Sequence, residues 1–201
     1  MGTRRVRAMV PGDLVGLKPV CPAHGGLDET LGDPASTWAR AAQDRWGLCG
    51  VLVCEGDLPV AGALVCPALN LPAGHPLERW ARRSDVAYLL ALTCADPEQG
   101  GGGTRLLVQG LSRHLQGQVA AVEAVGQELG SSCLVPPVSW LMGAGFHPVE
   151  DEQREAGQQL LRLDVDAGVQ WLARLDRAWG MLSGLVTRPV RPAEPTGRDA
   201  D

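Results

Sequence analysis

Four consecutive glycines, Gly100 to Gly103, join an almost wholly apolar run, "DVAYLLALTCA" (85–95), to a leucine-striped one, "TRLLVQGLSRHL" (104–115). The first run has the composition of a strand covered on both faces. In the second, Leu107, Leu111 and Leu115, with Leu106, recur at helical spacing. Glycine costs about 0.5–1 kcal/mol per position in regular structure, so four in a row predict a loop. A flexible linker would separate independent domains, whereas this one ties a buried strand directly to an amphipathic helix. Strand, glycine loop and helix in that order present bare backbone N–H groups and a helix N-terminus, the arrangement that receives phosphate.

Two common phosphate loops are excluded. A P-loop requires GxxxxGK[ST], and no lysine follows Gly103. A dinucleotide fingerprint requires GxGxxG, and counting from Gly100 places Arg105 where the last glycine belongs.

The flanking elements read as one α/β domain. "RRVRAMV" (4–10) is a first strand. Asp33 is placed to cap a helix with Pro34 at its first position, its face marked by Trp38, Ala41, Ala42 and Arg45. Two valine-rich runs flank Glu55-Gly56-Asp57, a hairpin signature. The Pro-rich stretch 67–85 is a long connection between strands. Beyond the glycines come a strand at 118–126, a short helix at 136–146 closed at Gly145, and a last strand at 157–165. Trp171, Leu175, Trp179, Leu182 and Val186 then mark an amphipathic helix over 168–186, packing on the body or on a second copy. The tail from Thr187 has too little apolar surface to order itself. This order describes a mixed sheet with helices on both faces, a domain over 1–166, a helix over 167–186 and a disordered tail over 187–201.

Composition narrows the function. Net charge is −5 with a single lysine, Lys18, and no basic block, which argues against nucleic acid. No apolar run reaches the ~18 residues that cross a bilayer, and no secretory leader opens the chain, so a cytoplasmic protein without membrane contact is expected. The six cysteines form no CxxC pair, which leaves no metal site. Cys49, Cys54, Cys66 and Cys94 sit in apolar runs as small hydrophobes, and Cys133 lies in the loop-like "GSSCLVPP".

Gln99-Gly-Gly-Gly102-Gly103-Thr104 resembles the [RQ]-x-x-G-x-[GA] loop of the GCN5-related N-acetyltransferase (GNAT) family, with Thr104 in the usual Gly or Ala position. "AYLLALTC" resembles the family's fourth strand, "EGDLPVAG" its second hairpin and "GAGFHPV" (143–149) its late helix-to-strand turn. The resemblance spans roughly residues 4–165. "WGLCG", "SSCLVPPVSWLMGAGF" and "LLRLDV" look more narrowly like a group of actinobacterial members.

The resemblance implies a mostly antiparallel sheet whose fourth strand is bulged and splays from the fifth, with acetyl-CoA lying in the gap. It assigns cofactor contacts to the backbone of Leu92, Thr93 and Cys94, with the Leu92 amide on the thioester carbonyl. Gln99, Gly100, Gly101, Gly102, Gly103, Thr104 and Arg105 would hold the pyrophosphate. The family's usual acid, a tyrosine, is replaced here by Leu141, and the glutamate of its histone-type members by Tyr88. Glu123 on the fifth strand, Tyr88 and, as an acyl relay, Cys133 remain as candidate catalytic groups, beside two bland readings: Glu123 as a carboxylate paired with an arginine at a sheet edge, Tyr88 as a pocket wall. Direct attack with proton loss to water needs none of them. Two functions follow: transfer of an acetyl group to a primary amine of a small molecule or protein, or an acyl-CoA-binding module without turnover. A homodimer through the last helix is compatible with both.

Overall fold

The computed structural model describes residues 4–17, 29–94, 100–129, 132, 134–149 and 157–165. The expected last helix and tail, Gln99 and Cys133 lie outside the described residues. Among the described residues no helix is long and apolar enough to cross a membrane.

Among the described residues seven strands form one sheet in the order β1-β2-β3-β4-β5-β7-β6. The strands are β1 (Arg4–Met9), β2 (Gly50–Glu55), β3 (Leu58–Pro67), β4 (Val86–Cys94), β5 (Ala121–Gln127), β6 (His147–Pro148) and β7 (Gln158–Asp164). Every neighbouring pair is antiparallel except β4 and β5. The β2–β3 hairpin closes through Gly56 at φ 62°, a left-handed turn position that glycine takes without strain.

Helices cover both faces. In α4 (Gly100–Leu115), the leucine stripe is buried at Leu107, Leu111 and Leu115 with Val108 beside it. Each such side chain contributes about 1.5–3 kcal/mol on leaving water. The backbone of α4 comes down at Gly110, where a Cβ would strike Val6 and touch Val51. On the opposite face α1 (Leu14–Leu17) sets Leu17 against Gly62 of β3. α2 (Glu29–Gly32) follows, and α3 (Thr37–Trp46) buries Trp38, Ala39, Ala42 and Trp46. α5 (Val138–Gly143) ends one residue before Ala144 and Gly145, the latter at φ 105°.

Three expectations need correction. α3 begins at Thr37, not at Pro34. Asp33 does act as an acceptor, taking the Ala35 N–H at 2.9 Å, and its carbonyl takes the Ser36 N–H at 3.1 Å. Pro34 therefore occupies the second position of a β-turn, where its fixed φ suits equally well. β5 begins at Ala121, because the N–H groups of Gln118 and Val119 both return to the Leu115 carbonyl and finish α4. The third correction concerns the glycines. They are not a loop but the first turn of α4.

Candidate active site

The site is built where β4 parts from its neighbour. β4 pairs with β5 only at Val86–Ala121, Ala87–Val122 and Tyr88–Glu123. Along β3 it continues to Cys94, but the register jumps between Leu64–Ala91 and Val65–Leu89, which leaves Leu90 as a bulge without a β3 partner. A bulge bends its strand and increases the local twist. Bulge and divergence thus fall within two residues of each other.

The Leu90 carbonyl is taken by His75 Nε2 at 2.9 Å. His75 precedes the 3₁₀ turn Pro76–Arg79, and its Nδ1 accepts the Leu77 N–H at 3.1 Å. A backbone N–H can only donate and a carbonyl only accept. Together they fix the ring as the Nε2–H tautomer.

Of the expected cofactor contacts, Leu92 and Thr93 lie on β4 beyond the bulge, both buried, and Cys94 ends the strand. The Thr93 hydroxyl donates to the Gly62 carbonyl at 3.4 Å. Gly100 to Gly103, Thr104 and Arg105 form the opening turns of α4. The first four N–H groups of a helix have no partner within it. Here all four belong to glycine, at the positive end of the helix dipole. Because those residues are helical, the donors that a glycine loop would have offered are the orphan donors of a helix instead.

Tyr88 and Glu123 form the last rung before the strands part, on the face that also carries Leu77 and Trp80. Tyr88 is fully buried, and its hydroxyl oxygen accepts the Arg82 and Arg83 N–H groups at 3.2 and 3.0 Å. Burial, and after it the neighbouring Glu123 carboxylate, hold this phenol above its ordinary range despite those two donors. Glu123 is 4% exposed and accepts from Arg162 Nη1, its cross-strand partner on β7, at 2.9 Å. Arg162 Nε in turn donates to Asp164 at 2.9 Å, and Asp164 lies 3.2 Å from His147 Nε2 at the surface. Burial pulls the Asp164 carboxyl up, yet Arg162 and His147 together leave it below the usual range.

A cleft of about 420 Å³ is lined by Gly74, His75, Pro76, Glu78, Arg79 and Gln158. Glu78 is tied locally, one carboxylate oxygen accepting the Gly74 N–H at 3.0 Å. The thiols of Cys49, Cys54 and Cys66 are buried and unpaired, and burial pushes Cys49 up to about 12. Such thiols are inert as nucleophiles. Among the described residues no group of three or more His, Cys, Asp or Glu side chains could hold a metal ion.

Sequence reasoning missed His75 and Arg162. "GHP" does mark His75 as a residue ahead of a helical turn, but nothing local announces its reach to Leu90. Arg162 alternates with apolar neighbours in "QLLRLD", so a polar position on β7 was readable and its cross-strand partner was not.

The chain as a whole superposes on solved structures. Aminoglycoside acetyltransferase AAC(6')-Ib, solved with coenzyme A, superposes with a TM-score of 0.55 at 18% identity, covering 84% of this chain and 98% of its own. The fold is that of the GNAT acetyltransferases. A GNAT-family acetyltransferase from Desulfovibrio desulfuricans matches with a TM-score of 0.50 at 19% identity over 81% of this chain and 99% of that one. Ard1 from Thermoplasma volcanium matches at 0.50 and 10% identity over 80% and 97%. No family model and no curated protein matches the sequence. The GNAT fold is therefore preserved at identities where few side chains coincide.

Proposed function

We propose that the chain is a member of the GNAT family, of its actinobacterial group, and that it transfers the acetyl group of acetyl-CoA to a primary amine of a small molecule or protein by direct attack on the thioester. The observation that carries this reading is the fork itself: β4 leaves β5 at Tyr88–Glu123, two residues before it bulges at Leu90. Strand amides with no neighbour across the gap can pair with an extended acyl-pantetheine arm as an added strand would. AAC(6')-Ib, of the same fold, has been solved with coenzyme A and kanamycin together.

In this reading the Leu92 amide holds the thioester carbonyl, with Thr93 and Cys94 continuing the contact. A donor aimed at a developing oxyanion is worth about 2.7–4 kcal/mol. The N–H groups of Gly100 to Arg105, with Gln99, receive the pyrophosphate, where missing side chains let the backbone approach closely. The acceptor enters through the His75–Glu78–Gln158 cleft. The attacking amine gives its proton to water, since the Glu123 carboxylate is already engaged by Arg162. Glu123 and Tyr88 are the alternative proton carriers, tested by Glu123→Gln and Tyr88→Phe. A loss of about a hundredfold or more in turnover, with acetyl-CoA binding intact, assigns the role to either. The unpaired thiols suit a reducing, cytoplasmic setting.

Calorimetric titration with acetyl-CoA, followed by thiol release over a panel containing kanamycin, alkylamines and peptides with free N-termini, tests the proposal. Binding with release supports it, and no binding defeats it. Binding without release favours the sensing module, a reading supported by buried Leu141 where the family's acid stands and by the arginine on Glu123. Self-association through 168–186 rests on sequence periodicity, and sedimentation of the full chain as a monomer would end it.

A further inference from the structure

We propose that His75 is a positioning residue that holds the β4 bulge in place through the Leu90 carbonyl, and that this, rather than its capping of the Pro76–Arg79 turn, is its main service to the site. The inference rests on the acetyltransferase reading only for its coenzyme measurement. Leu90 is fully buried and skipped by β3, so its carbonyl needs a donor from elsewhere. His75, itself 6% exposed, supplies that donor at 2.9 Å. The second ring nitrogen is pinned by the Leu77 N–H, so the ring cannot turn away without losing both bonds.

The alternative to a bulge is a strand slipped by one residue. Slippage would send every side chain from Ala91 to Cys94 to the other face of the sheet and turn their amides with them. Leu92 now shares the face of Ala63, and Thr93 that of Gly62. Losing the His75 donor removes the reward for the bulged register. His75 also lines the cleft, so whatever occupies that cleft lies against the group that sets β4.

Two substitutions separate the two hydrogen bonds. Asparagine places its amide oxygen where Nδ1 stands, which keeps the acceptor for Leu77 and abandons Leu90. Glutamine places its NH₂ where Nε2 stands, which keeps the donor to Leu90 and abandons Leu77. The full-length chain and both variants are titrated with acetyl-CoA, and amide hydrogen exchange is followed at Leu89–Leu92. His75→Asn is expected to bind acetyl-CoA about tenfold more weakly, with exchange on β4 faster by a similar factor. His75→Gln is expected to recover binding and exchange to within about threefold of the parent. Parental behaviour of His75→Asn overturns the proposal, and so does a His75→Gln as impaired as its counterpart. If His75→Asn does not fold, the behaviour of His75→Gln decides. If the parent itself fails to bind acetyl-CoA, the acetyltransferase reading falls, while the exchange contrast still decides the role of His75.

Discussion

Along β3, β4 is paired from Ala87 to Cys94; along β5 it is paired only from Val86 to Tyr88. The same nine residues therefore close one seam and open the other. The closed side, β1 to β4, is held by antiparallel ladders that resume beyond each register shift, and by small residues that let layers meet, such as Gly62 under Leu17. The open side stops its ladder while still inside the core and caps the last rung with a charged pair, Glu123 with Arg162. Stability is concentrated where pairing is complete. Capacity to take in another extended chain lies where pairing ends.

The strongest way to break this comparison is at Gly50, in the closed half. A Cβ there would overlap the Ala63 carbonyl and the Met9 side chain. Gly50→Val is expected to cost about 3 kcal/mol or more and to leave little folded protein. A normal urea transition for this variant would show that the closed seam is not tightly specified. Next comes the last rung. Arg162→Met strands a buried carboxylate and is expected to cost about 3–5 kcal/mol in denaturant unfolding. The double variant with Glu123→Leu should recover most of that loss, because the penalty lies in the unpaired charge.

A smaller effect is expected at Asp13, which grips Arg7 of the edge strand through two bonds of 2.8 Å and takes the Val10 N–H at 2.9 Å. The Arg7 guanidinium holds this carboxyl below its usual range. A depressed folded pKa contributes stability above the unfolded value of about 3.9. That contribution disappears as pH falls through the folded pKa. Asp13→Asn should therefore cost about 1 kcal/mol at pH 7, with the gap to the parent closing below about pH 4. The smallest effect carries two signs. Gly102→Ala should raise stability by up to about 1 kcal/mol, since the position is helical. It should also weaken acetyl-CoA binding by crowding the orphan N–H groups. A gain in both would sharpen the comparison by moving the pyrophosphate away from α4.

Much of the fold was legible because its signals are local. Alternation and apolar runs marked the strands, Gly56 the hairpin and the leucine spacing α4. The resemblance anticipated the bulge and the splay. What escaped depends on distant partners or very short elements. β6 is two residues long, and α1 and α2 four each, too brief for any periodicity. The glycines were expected outside the helix because their intrinsic cost opposes it; packing along Leu107, Leu111 and Leu115 outweighs that cost. Glu123 was readable as a residue needing an arginine, but Arg162 became its partner only through the β5–β7 register.

The chain has a single tyrosine, and it sits at the point where the ladder ends. Growth on 3-fluorotyrosine would thus place one fluorine nucleus at the crotch of the sheet, giving a single resonance with no assignment problem. Its chemical shift would follow the parting of the strands in solution, with six tryptophans left untouched.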